Sequence, residues 1–184
     1  MDSQKKKLEV QLRESYGKVT YTYTSHLKFM ERIDKRNRYL KYLQIFLSAV
    51  TTGGLLGTMI FNENILIFVA GLFSTISLGI NLYFKDFNLS EKSKQHQVAS
   101  DKLWLIREKY ATLLTDLEVL SLEKIMLERD KLRDKTHKIY VESPKTDEKS
   151  YAKTQNVLKK EEEQFFEEKE LDQMLPKHLR KDRK

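Results

Sequence analysis

The sequence LQIFLSAVTTGGLLGTMIF, residues 43–61, is followed after three residues by ILIFVAGLFSTISLGINLYF, residues 65–84, and these two stretches decide the fold. Neither contains a charged side chain, although 33% of all residues are charged. A helix needs roughly 20 apolar residues to cross a bilayer core about 30 Å thick. Inside lipid the backbone must satisfy its own hydrogen bonds, so each stretch is predicted to be helical throughout. With only residues 62–64 as a turn, the two helices form an antiparallel hairpin.

A buried helical pair in a soluble core is the alternative to a membrane hairpin. Such helices are usually shorter and amphipathic, whereas these two are apolar around their whole circumference. Basic residues flank the hairpin on one side only, namely Arg32, Lys35, Arg36, Arg38, Lys41, Lys85, Lys92 and Lys94. Because Lys and Arg are retained on the cytoplasmic side, both termini are predicted to be cytoplasmic.

The rest of the chain is predicted to form long charged helices. Residues 1–42 form a cytoplasmic amphipathic helix, which is expected to run into the first span. Residues 85–142 form a cytoplasmic helix whose inward-facing apolar residues, from Ala99 to Leu127, recur with a mean step close to 3.5, the coiled-coil heptad value. Ser90 is the candidate N-cap of this helix, and Trp104 is placed on or beside its interface. Residues 143–184 form a charged helix from Asp147 to Leu175, with Tyr151, Leu158 and Phe165 at heptad spacing, and a basic tail.

Small residues recur along both spans. Gly53 and Gly57 form a GxxxG pair, and Gly71, Thr75 and Gly79 follow the same spacing. Small residues let helices approach closely, and dispersion then favours their association in lipid. The stripe is either a seam between copies of the chain or the surface on which the hairpin packs against itself, and the sequence leaves both open.

Hydroxyl and amide side chains also follow helix faces within the spans. Ser48, Thr51 and Thr58 lie near one face of the first helix, and Ser74, Ser77 and Asn81 share a face of the second. If several hairpins assembled, these residues could line a narrow aqueous path. The alternative is that the hydroxyls bond to carbonyl groups of their own helix.

The residue types of known catalytic and metal sites are missing or scattered. The chain has no cysteine, and its four histidines do not have the spacing of metal ligands. No glycine-rich phosphate loop or nucleophile elbow is present, so no catalytic, metal or cofactor site is predicted, and an enzyme is not expected. The net charge of +7 does not predict nucleic-acid binding, because acids alternate with the basic residues.

The segment YGKVTYTYTSHLKFMERIDKRNRYLKYLQIFLSAVTTGGLL, residues 16–56, resembles the SLATT domain. The short polar turn, the second span, the long charged helix after it and the closing LPKHLR extend the resemblance over most of the chain. The resemblance implies a membrane effector of prokaryotic conflict and antiphage systems. Such effectors are coupled to sensors, including nucleotide second-messenger synthases and, in some subgroups, reverse transcriptases. The extended C-terminal segment favours the subgroup that accompanies reverse transcriptases.

Together these observations predict an all-α membrane protein, a two-span antiparallel hairpin with long cytoplasmic N- and C-terminal helices packed as a coiled coil. The resemblance implies a multi-pass protein of the bacterial inner membrane that contacts the bilayer, forms a homo-oligomer and perforates the membrane. A sensor or signalling protein encoded nearby would supply the trigger. The alternatives are a passive anchor that docks a partner enzyme to the bilayer and a holin-like hairpin, which would not need such long helices.

Overall fold

The computed structural model describes residues 3–61, 64–163 and 166–180, and within these ranges all regular structure is helical. The six α-helices are α1 Ser3–Phe61, α2 Asn64–Asp86, α3 Leu89–Thr115, α4 Leu122–Glu142, α5 Glu148–Lys159 and α6 Glu168–Met174, followed by a 3-10 turn at Lys177–Leu179. The predicted all-α architecture with two long apolar helices is confirmed. Most of the predicted interspan turn (62–63), the heptad residue Phe165 and the basic tail 181–184 lie outside the described residues.

Helix α1 is continuous over 59 residues, which is about 90 Å at 1.5 Å per residue. No proline occurs before Pro144, so nothing in the sequence breaks the helix at the start of the apolar stretch. The amphipathic helix and the first span are therefore one continuous helix, as expected from the sequence.

Residues 3–42 of α1 and helices α3, α4 and α5 form a charged bundle. Helix α3 returns along α1, and α4 then folds back on α3. Their facing side chains form one apolar core, whose buried members are Leu8, Leu12, Val19, Leu103, Ile106, Tyr110, Leu113, Leu117, Ile125, Leu132 and Ile139. The hairpin brings α1 and α3 together with little loop entropy. The coiled-coil geometry proposed for this pair stays a prediction.

The expectation of one helix over residues 85–142 is corrected by the structure, because α3 ends at Thr115 and α4 begins at Leu122. The Ser121 hydroxyl accepts a hydrogen bond from the Lys124 backbone N–H at 3.3 Å and caps α4. The reversal lets Ile125 enter the same core as Leu113, whereas a continued helix would carry it away. Leu127, which the heptad pattern placed inside, is exposed.

Two smaller expectations near α3 are also wrong. The N-cap is Asn88 and not Ser90, since the Asn88 side chain accepts from the Glu91 backbone N–H at 3.1 Å. Trp104 is 47% exposed and is not a core residue, because Leu103 and Ile106 occupy the face of α3 that points inward.

The single helix expected from Asp147 to Leu175 is divided into α5 and α6. Asp147 caps α5 by accepting from the Ser150 backbone N–H at 3.0 Å. After α5 the chain turns at Glu162, whose φ of 49° lies in the left-handed region. Helix α5 packs on α1 through Ser150, Thr154 and Val157, which are buried. The heptad residue Tyr151 is exposed instead.

Candidate functional site

The hairpin formed by residues 43–61 of α1 and by α2 exposes a continuous apolar surface. Both helices are long and apolar enough to cross a membrane, and only 6% of each apolar window is buried within the protein. A helix in the core of a soluble protein would be mostly buried, so this surface requires an apolar surrounding. Its exposed members include Leu55, Leu56, Met59, Ile60, Ile65, Ile67, Phe68, Leu72, Leu78 and Leu82.

The glycines of the spans divide into an inner and an outer set. A Cβ atom on Gly54 would lie 3.2 Å from the Ala70 Cβ, and one on Gly57 would lie 3.1 Å from the Leu66 Cδ1. These two glycines therefore permit the close approach of α1 and α2. By contrast, a Cβ atom on Gly53, Gly71 or Gly79 would have no atom of the other helix within 4 Å. None of these three faces the other helix, and we call them the outer glycines.

The predicted GxxxG pair is thus divided between two surfaces. Gly57 belongs to the interior of the hairpin, whereas Gly53 is one of the outer glycines. Sequence reasoning missed Gly54 and Ala70, although Ala70 is buried. The spacing of small residues gives the helical period, but it does not give the rotation of the helix about its axis.

Two of the five predicted pore-lining hydroxyls bond to their own helix, Thr51 to the Leu47 carbonyl at 2.9 Å and Thr58 to the Leu55 carbonyl at 2.6 Å. Thr75, which belongs to the predicted packing stripe, donates to the Gly71 carbonyl at 3.0 Å. Ser48 and Ser74 are exposed on the hairpin, and Ser77 is half-buried. Two helices cannot enclose a channel, so any path along these side chains would need several copies of the chain.

Asn81, the remaining predicted pore residue, joins the two spans. Its side-chain oxygen accepts a hydrogen bond from the Gln44 amide. Gln44 stands at the start of the first apolar stretch and Asn81 near the end of the second. The pair therefore ties the hairpin at the end that faces the charged bundle.

Replacing Gln44 by leucine is expected to destabilise the hairpin by about 1 kcal/mol, because the Asn81 amide then has no partner in an apolar surrounding. The Gln44→Leu/Asn81→Leu double variant should recover most of this loss, since no polar group is stranded. Thermal unfolding of the full chain in bicelles measures both values. If the double variant lost as much stability as the two single variants together, the coupling between Gln44 and Asn81 would be contradicted.

Beneath the hairpin, a layer of buried polar side chains crosses the charged bundle where α1, α3 and α5 meet. His26 and His96 are 3% and 0% exposed, and their Nδ1 atoms lie 2.9 Å apart. The His96 ring also stacks on Phe29 with a centroid separation of 3.9 Å. The other buried members of this polar layer are Thr20, Thr24, Ser25, Ser93, Ser100, Ser150 and Thr154.

The histidine pair is held in its neutral form. Burial lowers the pKa of His26 to about 4. Burial also lowers the pKa of His96 to about 4, with further lowering by His26 and Lys92 and an opposing effect of Asp147. One Nδ1 must donate and the other accept, so the two rings hold different tautomers. Within the described residues the His96 Nε2 has no hydrogen-bond partner.

Sequence reasoning treated the four histidines as scattered, and the structure brings two of them together. His26 and His96 lie at nearly equal distances along the chain from the interspan turn. This symmetry could have predicted their contact. In a helical hairpin, two residues that are equally far from the turn lie at the same height and can face each other. Among the described residues, no group of three or more metal-ligating side chains is formed.

Helix α5 is fastened to α1 at the level of the polar layer. The Ser25 hydroxyl donates to the Thr154 hydroxyl at 3.1 Å, and Arg32 forms an ion pair with Asp147. Burial raises the pKa of Asp147, but hydrogen bonds from Arg32 and Ser150 outweigh this and lower it to about 2. The carboxylate is therefore charged at neutral pH. The polar layer is a junction at which three helices are held by specific pairs rather than by apolar packing alone.

The sequence profile of the family described as "SMODS and SLOG-associating 2TM effector domain family 4" matches residues 8–170. The match spans the charged bundle, the hairpin and α5, and it ends inside α6. Among curated proteins and among solved structures, no match to this chain was found. The description names SMODS and SLOG domains, so the preference for the subgroup that accompanies reverse transcriptases stays a prediction.

Proposed function

The chain belongs to the SMODS and SLOG-associating 2TM effector domains of family 4, and we propose that it assembles in the bacterial inner membrane and permeabilises it when a partner sensor is activated. Its character as a two-span membrane effector domain of a conflict system follows from the family itself. Assembly, permeabilisation and the antiphage outcome are the proposal. It includes no catalytic step, no cofactor and no role for nucleic acid.

The outer glycines are the observation that carries this proposal. Gly53, Gly71 and Gly79 place flat backbone on outward surfaces of the hairpin that the other helix leaves uncovered. In lipid, flat surfaces of small residues favour close helix–helix association through dispersion. A second copy of the hairpin fits such a surface better than lipid chains do. The exposed Ser48 and Ser74 would then lie near the contacts between copies.

The signal would enter through the charged bundle. We place both termini in the cytoplasm, because the basic flanks of the hairpin all lie on the side of the bundle. Helix α1 carries the bundle and the first span as one element, so a rearrangement at the polar layer would rotate or shift the span. Such a device needs two discrete arrangements of the bundle, and the specific pairs of the polar layer would define one of them.

Induced expression in bacteria tests this function. With its neighbouring gene products and an activating stimulus, the chain is expected to collapse the membrane potential and to admit propidium. Without them it should leave the membrane intact or act much more weakly. Intact membranes under every condition, with the protein confirmed in the membrane fraction, would overturn the proposal.

A passive anchor is the second candidate, and the C-terminal segment favours it. Helix α6 has no buried residue, and the segment that it forms with its C-cap exposes Leu171, Met174 and Leu175. These residues would suit docking of a partner enzyme. An anchor predicts loss of partner recruitment, without toxicity, when these three side chains are replaced by serine.

A further inference from the structure

The basic residues beside the hairpin differ from the others in their partners. Elsewhere in the described ranges about half of the cations are paired with acids, as in Arg13–Glu9, Lys18–Glu14 and Lys131–Glu128. The cations beside the hairpin form the basic collar, whose members are Lys35, Arg36, Arg38, Lys41, Lys85, Lys92 and Lys94. Across the described ranges, none of these seven forms an ion pair with an acid. The collar therefore retains its positive charge for a partner.

Acids are too few around the collar to neutralise it. The segments 33–41 and 85–94 contain seven basic residues and three acidic ones, Asp34, Asp86 and Glu91. Two collar cations lie over aromatic rings instead, with Arg36 at 5.2 Å from the Tyr83 centroid and Lys92 at 5.3 Å from the Phe29 centroid. A ring attracts a cation but does not cancel its charge.

One face of α1 changes its chemistry in steps as it approaches the hairpin. Steps of three and four residues place on this face, in order, Lys35 and Arg38, then Tyr39 and Tyr42, then Ile45 and Phe46. The two cations are exposed, and the four residues after them are 60–69% exposed. The face spans about 16 Å, and neither α2 nor α3 covers it. We call it the graded face.

The order of side chains along the graded face matches the order of groups along a phospholipid. Cations suit the phosphate, tyrosines suit the interface with water, and aliphatic and aromatic side chains suit the acyl chains. An RNA or an acidic protein would match the cations but would leave Ile45 and Phe46 uncovered. Phe87, which stacks on Tyr83 at 4.9 Å, is also exposed at the break between α2 and α3.

We propose that the graded face of α1 binds an anionic phospholipid of the leaflet next to the charged bundle. The phosphate lies against Lys35 and Arg38, and the acyl chains lie along Tyr42, Ile45 and Phe46. An anionic lipid is preferred to a zwitterionic one, because its headgroup has no cation to oppose the collar. The proposal requires that the hairpin spans the membrane, but it does not require assembly or permeabilisation.

Native mass spectrometry of the full chain, released from detergent with equal amounts of phosphatidylglycerol and phosphatidylcholine, tests the site. The chain should retain phosphatidylglycerol preferentially. The Lys35→Gln/Arg38→Gln variant should lose about 30-fold in affinity for it, since each basic residue near an anionic headgroup contributes about fivefold. Lys35→Arg/Arg38→Lys should keep the affinity. Both cations are exposed, so the helix content by circular dichroism should not change.

The matched control is Lys124→Gln/Lys131→Gln, which removes the same charge at the far end of the bundle. It should leave lipid retention unchanged. If both Gln variants lost the same affinity for phosphatidylglycerol, net charge alone would explain the effect, and the proposed site would be overturned. Displacement of the lipid by inorganic phosphate alone would also overturn it, because the acyl contacts would then contribute nothing. Pore activity enters neither measurement, so the site can fail while the proposed function stands.

Discussion

Leucine at both Gly53 and Gly71 is expected to abolish permeabilisation while the hairpin stays folded. A Cβ atom added to either glycine would have no atom of the other helix within 4 Å, so the new side chains project into lipid without strain within one chain. Between two chains they hold the helices apart and remove the close approach on which association depends. Dye entry should fall to the level of uninduced cells, and the oligomer should be lost in size measurements in detergent.

The matched variants separate assembly from folding. Gly53→Ala/Gly71→Ala keeps the surface small and should retain most of the activity. Gly54→Leu acts inside the hairpin, where even a Cβ meets Ala70 at 3.2 Å, and it should destabilise the chain itself. Gly57→Leu, the substitution that the sequence alone would single out, also tests the interior of the hairpin and not the seam. If the Gly53→Leu/Gly71→Leu variant permeabilised membranes as the unaltered chain does, the outer glycines would not form the seam.

The part of the fold that sequence predicted correctly depends on composition over long windows. Two uncharged stretches of about 20 residues separated by a short turn allow little besides a hairpin, and the apolar series on α1 then selects α3 as its partner. Such signals average over many residues, so a few unusual side chains do not disturb them. The divisions within the charged segments were missed because a cap is made by one or two residues. Ser121, for example, caps α4 through a single hydrogen bond.

The candidate site was less accessible to sequence reasoning because it depends on rotation about helix axes. Gly53 and Gly54 are neighbours in the chain, yet they lie on different surfaces of the hairpin. His26 and His96 are separated by 70 positions, and only the hairpin brings them together. The spacing of residues along one helix predicts neither fact, because both depend on how two helices face each other.

Acidification is expected to unfold the charged bundle through the histidine pair. In the unfolded chain the imidazoles titrate near pH 6.5, whereas in the fold their pKa is about 4 because they are buried. Between these values the unfolded state binds protons that the folded state excludes, so the stability is complete above pH 6.5 and falls as the pH is lowered towards 4. Protonation of each ring should lower the free energy of unfolding by about 2 kcal/mol between pH 6.5 and 5. Two coupled rings cost at most twice that.

Urea unfolding of the full chain in detergent, followed by the fluorescence of the single Trp104 on α3, measures how the free energy of unfolding depends on pH. Replacing both rings, as in His26→Leu/His96→Phe, removes the titrating groups and should flatten the dependence over this range, because Phe can keep the stacking on Phe29. His96→Phe alone should destabilise at neutral pH by roughly 1–3 kcal/mol, since the His26 Nδ1 loses its buried partner. His137 is exposed on α4, so His137→Gln should keep the full slope. If the double variant and the unaltered chain lost stability equally on acidification, protonation of the histidine pair would not be the cause, and the polar layer would hold the helices by shape rather than by the neutral state of its histidines.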